Sequence, residues 1–296
     1  MPVKLINLVA STLASLSLPM NHRVGAIVGW LAWTCKTSLR TVTEINLDLC
    51  FPEWSEQQKQ RVGKASLIHT GKALSESFWL WKRPIDEVAR KITIVEGEQL
   101  LRDAQQSSAG VLAATPHLGS WEVCCIPLIT DGPVTCLYQP PRNTIMEPIT
   151  ISGRMNLGAK PTPLDPGGIK HVLRQLKHGE LVGLLPDQEP DEQNGHFAPL
   201  FGVSANTMTL LAKFANKTGA RVLFCFAERL PKGRGWQIRY RLPSDNIDST
   251  DKSLATAALN ATVEQCISTC PEQYLWNYKR FRRLPDGTRR NYRTRS

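Results

Sequence analysis

"GVLAATPHLGSWEV", residues 110–123, decides the fold. Gly110 to Thr115 is a short apolar run closed by Pro116, and it reads as a strand. His117 stands just past the strand end. "GSWEVCCIPLI" (119–129) then reads as a helix. The same alternation continues outward. "VTCLYQ" (134–139) and "LVGLLPD" (181–187) are further strands, with "TIMEPITISGRMNLG" (144–158, helical with a break near Pro148) and "GGIKHVLRQLKHG" (167–179) as helices between them. In the second of these helices Ile169, Val172, Leu173 and Leu176 point inward and Gly179 is the stop. "SANTMTLLAKFANKTG" (204–219) reads as a helix from Ser204 or Asn206. "ARVLFCFAERL" and "WQIRYRL" read as two strands joined by "PKGRG", and residues 249–271 form a final helix. Upstream, Ser55 with Gln58 opens a helix with a capping box. That helix places Leu67, Gly71, Leu74, Phe78 and Trp81 on one face and stops at Pro84.

Strands alternating with helices of this length predict an α/β domain: a mostly parallel central sheet flanked by helices. Ligands in such folds bind beyond the carboxyl ends of the strands. His117, Arg142 (in "QPPRN") and Asp187 (in "LLPDQEP") each follow a strand, so all three are expected on one edge of the sheet.

The pair His117 and Glu122, at H-x-x-x-x-E spacing, restricts the chemistry. A zinc helix pairs two histidines, and no second histidine is near. No G-x-S-x-G nucleophile elbow occurs, and Cys124 or Cys125 would have to leave an apolar helix face to act as a nucleophile. General-base catalysis fits better. Glu122, on the first turns of a helix, is expected to bond one ring nitrogen of His117. The other nitrogen is then free to take a proton from an alcohol attacking a carbonyl. The helix N-terminus is expected to add donors near the developing oxyanion. The competing reading is a buried His–Glu pair that only stabilises the loop.

Composition and charge bound the rest. The chain has 296 residues, with 42% hydrophobic and 21% charged residues, which is globular rather than disordered. The net charge is +10, concentrated in "YKRFRRLPDGTRRNYRTRS" (278–296). That stretch reads as a solvated, partly disordered tail over 288–296, or as an attractor of something anionic, whether a lipid headgroup, an acidic protein or a nucleic acid. The eight cysteines include no C-x-x-C pair and read as free thiols on a reducing, cytosolic side. "LINLVASTLASLSL" and "VGAIVGWLAWTC" are apolar but interrupted by Pro19 and Asn21-His22-Arg23. Each falls short of the roughly 20 residues a span needs. Residues 1–36 read as a membrane-associated segment and 37–296 as the catalytic domain, with a buried soluble helix pair as the alternative for the former.

The dyad does not stand alone. "NLDLCFPEWSEQQ" (46–58), "GVLAATPHLGSWEV", "YQPPRN", "GRMNLGA" (153–159), "LLPDQEP", "FGVSANTMTLLAKFANKTGARV" (201–222) and "PEQYLWNYKRFRRLPDG" (271–287) together resemble the lysophospholipid/glycerolipid acyltransferase superfamily. Within it they resemble the bacterial lipid A late acyltransferases, the lauroyl and myristoyl transferases. The resemblance implies His117 and Glu122 as the catalytic dyad. It implies Arg154 as a contact for an acceptor phosphate or an organiser of the site, and Asp187 as a holder of the acceptor or the site arginine. It implies acyl carrier protein as donor, a phosphorylated Kdo-bearing glycolipid as acceptor, an inner-membrane location facing the cytoplasm, and neither metal nor cofactor. An acyltransferase acting on another lyso-lipid, such as a lyso-ornithine lipid, is the nearer alternative. A non-enzymatic basic protein binding membrane or nucleic acid is the remoter one.

Overall fold

Four helices lead the chain: α1 (Val3–Ser15), α2 (Leu18–Thr34), α3 (Ser38–Cys50) and α4 (Glu56–Leu80). A short α5 (Ile85–Ala89), β1 (Ile92–Glu96) and α6 (Glu98–Gln105) follow, then β2 (Val111–Ala114), β3 (Val134–Tyr138), α7 (Met146–Asn156) and β4 (Ala159–Pro163). The rest is α8 (Pro166–Lys177), β5 (Leu181–Leu184), β6 (Gly195–Leu200), β7 (Val203–Met208), α9 (Leu210–Thr218), β8 (Arg221–Arg229), β9 (Trp236–Arg241) and α10 (Lys252–Thr269). The computed structural model describes residues 3–129, 132–140 and 146–295.

Seven strands form one sheet in the order β1-β9-β8-β2-β5-β3-β4, and only the β8–β9 pair is antiparallel. β2 lies at its centre. Val111 and Ala113 face one layer of core with Leu223, Cys225 and Trp79, while Leu112 and Ala114 face another with Val182, Phe224 and Phe214. Burial on both faces is why the strand is apolar at every position rather than at alternate ones. Burying Val111 or Leu112 contributes about 1.5–3 kcal/mol each.

The structure departs from the pattern reading in identifiable places. The stretch after Gly119 is two 3-10 turns, Trp121–Val123 and Ile126–Leu128, rather than a helix. Ser120 gives its hydroxyl to Glu76 instead of capping, and Pro127 cannot donate to a continuing helix. Residues 203–208 are a strand, paired antiparallel with β6, and the helix begins only at Leu210. Helix α7 runs unbroken past Pro148, which sits in its first turn where no backbone N–H is needed. Edge strand β4, "AKPTP", carries two prolines and shows no strand pattern.

The N-terminal helices are packed onto the body. Helix α2 runs antiparallel along α4 with Gly29 against Leu67, Gly25 against Gly71, and Asn21 against Ser75. A Cβ at Gly25 or Gly71 would overlap the opposing backbone, so this seam needs glycine. The seam follows positions 67, 71 and 75, which leaves Leu74, expected inward, 57% exposed. The outer side of α1 and α2 exposes Leu8, Met20, Ile27, Val28, Trp30 and Leu31. No helix among the described residues is long and apolar enough to cross a membrane.

The basic C-terminus is solvated along most of residues 288–295 but is anchored to the body rather than disordered. Tyr292 packs on Val42 and Ile45 and donates its hydroxyl to Asn46 at 2.7 Å. Arg295 pairs with Asp48 and Glu56, both at 2.6 Å, and holds the Glu56 carboxyl down to about 2. An aromatic anchor and two acids in α3 and α4 are what hold residues 288–295 in place.

Candidate active site

Ala114 of β2 and Leu184 of β5 are register partners in neighbouring parallel strands. Each strand then leaves the sheet through a proline two residues on, Pro116 and Pro186. His117 and Asp187 are therefore both three residues beyond a matched pair, and they meet. The ring Nδ1 of His117 lies 2.7 Å from Asp187 Oδ1, and the His117 backbone N–H donates to Oδ2 at 2.9 Å. An ionised carboxylate only accepts, so Nδ1 carries the proton and the Nε2 lone pair faces outward. The Gln188 side-chain amide donates to Nε2 at 3.1 Å. Burial pushes the Asp187 carboxyl up, but His117, through its charge and two bonds, outweighs this and holds it below the ordinary range.

The motif loop is fixed by backbone. Gly119 has φ +63 and forms a bridge with Ala227 of β8, a conformation and an approach that exclude a side chain. Its N–H goes to the Gln273 carbonyl at 3.1 Å, and Ser120 N–H goes to the Ala227 carbonyl at 2.8 Å. The His117 carbonyl accepts from Leu275 N–H at 3.1 Å.

Glu122 does not orient His117, as the spacing suggested. Both of its oxygens are taken by Arg154, at 2.7 Å from Nη2 and 3.0 Å from Nε, and by the Trp81 indole at 3.2 Å. The physical reason is the missing helix: the 3-10 turn turns Glu122 away from the histidine, and a buried carboxylate requires a cation. Burial alone would raise the Glu122 carboxyl. Arg154, by charge and bonds, and Trp81 reverse that and hold it low. Arg154 comes from the last turn of α7 and keeps 21% of its side chain exposed, so one side of the guanidinium is open to a ligand. Arg142 follows β3 but lies outside the described residues.

Beneath the loop lies a buried ionic node that pattern reading missed. Arg229, at the end of β8, donates to both oxygens of Glu76 on α4, at 2.7 and 2.9 Å, and to the Gly119 carbonyl at 3.0 Å. His22 of α2 reaches Glu76 at 2.6 Å, and Ser120 Oγ donates to the same carboxylate. Burial, then Arg229 and Lys72, push the neighbouring His69 imidazole down to about 2, so it stays neutral and accepts from Arg229. Nothing in a helix pattern distinguishes a buried Glu76 from a solvated one. Gln188 was adjacent to Asp187 in "LLPDQEP", and its place after the strand was the one available signal.

A hydrogen bond with Cys225, and then burial, raise the Cys124 thiol well above its ordinary value, which removes it as a nucleophile. All eight cysteines are unpaired. The site offers a basic ring nitrogen whose partner is the Gln188 amide, an oriented ring and a charged arginine, a set suited to moving a proton from a hydroxyl.

Comparison with known proteins agrees over the whole length. The family model for bacterial lipid A biosynthesis acyltransferase matches residues 3–283. The chain is 30% identical to the lipid A biosynthesis lauroyltransferase of Escherichia coli, over 94% of this chain and 90% of that one. It is 29% identical to the palmitoleoyltransferase of the same organism, over 92% and 88%, and 22% identical to its myristoyltransferase, over 93% and 84%.

Proposed function

We infer the reaction of this chain from its family: it belongs to the bacterial lipid A biosynthesis acyltransferases and is an acyltransferase. We propose that it moves a fatty acyl chain from acyl carrier protein to a hydroxyl of a Kdo-bearing lipid A precursor. His117 is the general base. Its Nε2 takes the proton of the acceptor hydroxyl as the oxygen attacks the thioester carbonyl, and Asp187 stabilises the imidazolium that forms. Glu122 holds Arg154, whose open side, with Arg142, meets the acceptor's phosphate. The observation that carries this reading is the pair of hydrogen bonds from His117 to Asp187, which leaves Nε2 as the basic ring nitrogen.

The enzyme works at the cytoplasmic face of the inner membrane in this reading. Residues 1–36 are the membrane-facing segment. Support comes from the exposed apolar residues of α1 and α2 and from a sequence with no acid before Glu44. Helices of 13 and 17 residues suit lying in the interface plane.

Mass spectrometry of lipid A from cells lacking the gene tests the proposal. One secondary acyl chain should disappear, and wild type but not His117→Ala should restore it. An unchanged lipid A would move the search to another lyso-lipid acceptor.

A further inference from the structure

We propose that Gln188 is a catalytic residue of this reaction: its side-chain amide is the hydrogen-bond donor for the oxyanion. This rests on the acyl-transfer reading above. An acyl transfer places negative charge on the former carbonyl oxygen, and a site needs donors aimed there. Four amides of the motif loop are already committed. The amides of His117, Leu118, Gly119 and Ser120 donate to Asp187, Pro116, Gln273 and Ala227 in turn. No α-helix begins behind the motif, so no helix N-terminus supplies the charge.

Gln188 is the side-chain donor that already stands at the reacting nitrogen. Its amide sits 3.1 Å from His117 Nε2, in the place where the acceptor hydroxyl must donate. When the hydroxyl takes that place, the amide moves aside while staying within reach of the carbonyl under attack. Its backbone is clamped on both sides. Asp187 is held by His117, and the Glu189 backbone N–H donates to the Tyr278 hydroxyl at 3.0 Å while its carboxylate ion-pairs with Arg282 at 2.8 Å. A fixed backbone limits how far the side chain can swing and keeps its amide beside the reacting atoms.

The step balances as follows. The acceptor oxygen bonds to the thioester carbon while its proton passes to Nε2. The carbonyl π pair moves onto oxygen and is held by the Gln188 N–H. The pair returns, the C–S bond breaks, and the leaving thiolate takes the proton from Nε2.

The test is steady-state kinetics of the full chain on an acyl carrier protein thioester and a lipid A precursor. If wild type shows no turnover, the functional reading fails, and with it this inference. With wild type active, Gln188→Ala should lower kcat about 100- to 1000-fold. The acceptor KM should be unchanged or lower, because the amide no longer competes for Nε2. Gln188→Glu keeps the size and removes the donor, so it should match the alanine variant in kcat. A kcat within threefold of wild type in either variant would falsify the proposal. A loss of activity with a raised acceptor KM would overturn it in favour of a packing role.

Discussion

His117 gives Asp187 two hydrogen bonds, one from its ring and one from its own backbone amide. A single carboxylate thus sets both the tautomer of the imidazole and the direction from which the chain presents it. Asp187→Asn should therefore lower kcat about 100- to 10,000-fold with the fold intact. Glu122→Gln should reduce kcat far less and act mainly on the acceptor KM through Arg154. Side-by-side kinetics decide it, and the reverse order would return the orienting role to Glu122.

Arg154→Ala should cost about 2–3 kcal/mol of stability, because it leaves the Glu122 carboxylate buried without its cation. The double variant with Glu122→Gln should recover most of that loss in urea unfolding. Independent, additive losses would contradict the pairing.

The α2–α4 seam should reject side chains. Gly71→Val places branched carbons against the Gly25 backbone and should destabilise by about 1–3 kcal/mol. Leu74→Val, one turn on but exposed, should change stability by less than about 0.5 kcal/mol. Thermal unfolding of the pair checks the position of the seam.

Stability should fall on mild acidification through His69. Burial and Arg229 hold the folded imidazole at about 2, whereas the unfolded one titrates near 6.5. Between those values the unfolded chain binds a proton that the folded chain does not. Stability is full above pH 6.5 and falls below it by ~1.4 kcal/mol per pH unit. His69→Asn keeps an acceptor for Arg229 and should remove this share of the slope in unfolding curves taken from pH 7 to pH 5.

Trimming the chain after residue 287 should expose Val42 and Ile45 and strand Asn46, lowering the unfolding midpoint. Tyr292→Ala alone should reproduce about 2–4 kcal/mol of the loss.

The sheet was legible where strands are buried on both faces. The runs 110–115, 134–138 and 181–185 and the 221–241 hairpin all stand as strands in the structure. Their order of exit also placed His117 and Asp187 on one edge. Elements whose residues carry mixed signals were not legible. "AKPTP" hides a strand behind two prolines, "SANTM" pairs as a strand with polar residues because β6 covers it, and "ITIVE" is a half-exposed edge. In the site, residue types were legible and partners were not. Glu122 and Asp187 are both acids near a histidine in sequence order or by topology. Which one bonds the ring was settled by strand register, and the other was claimed by Arg154 on a helix whose approach no spacing encodes.

The node under the motif loop also dictates a timetable. Glu76 leaves the ribosome 153 residues ahead of Arg229, and Asn46 leaves 246 ahead of Tyr292. Until those partners arrive, the N-terminal helices carry an unmatched carboxylate and an apolar outer side. The catalytic loop, tied to Glu76 through Ser120 and to Arg229 through Gly119, cannot close before Arg229 has been made. Assembly of the active site thus waits on partners far along the chain, and contacts this distant in sequence make it a slow step.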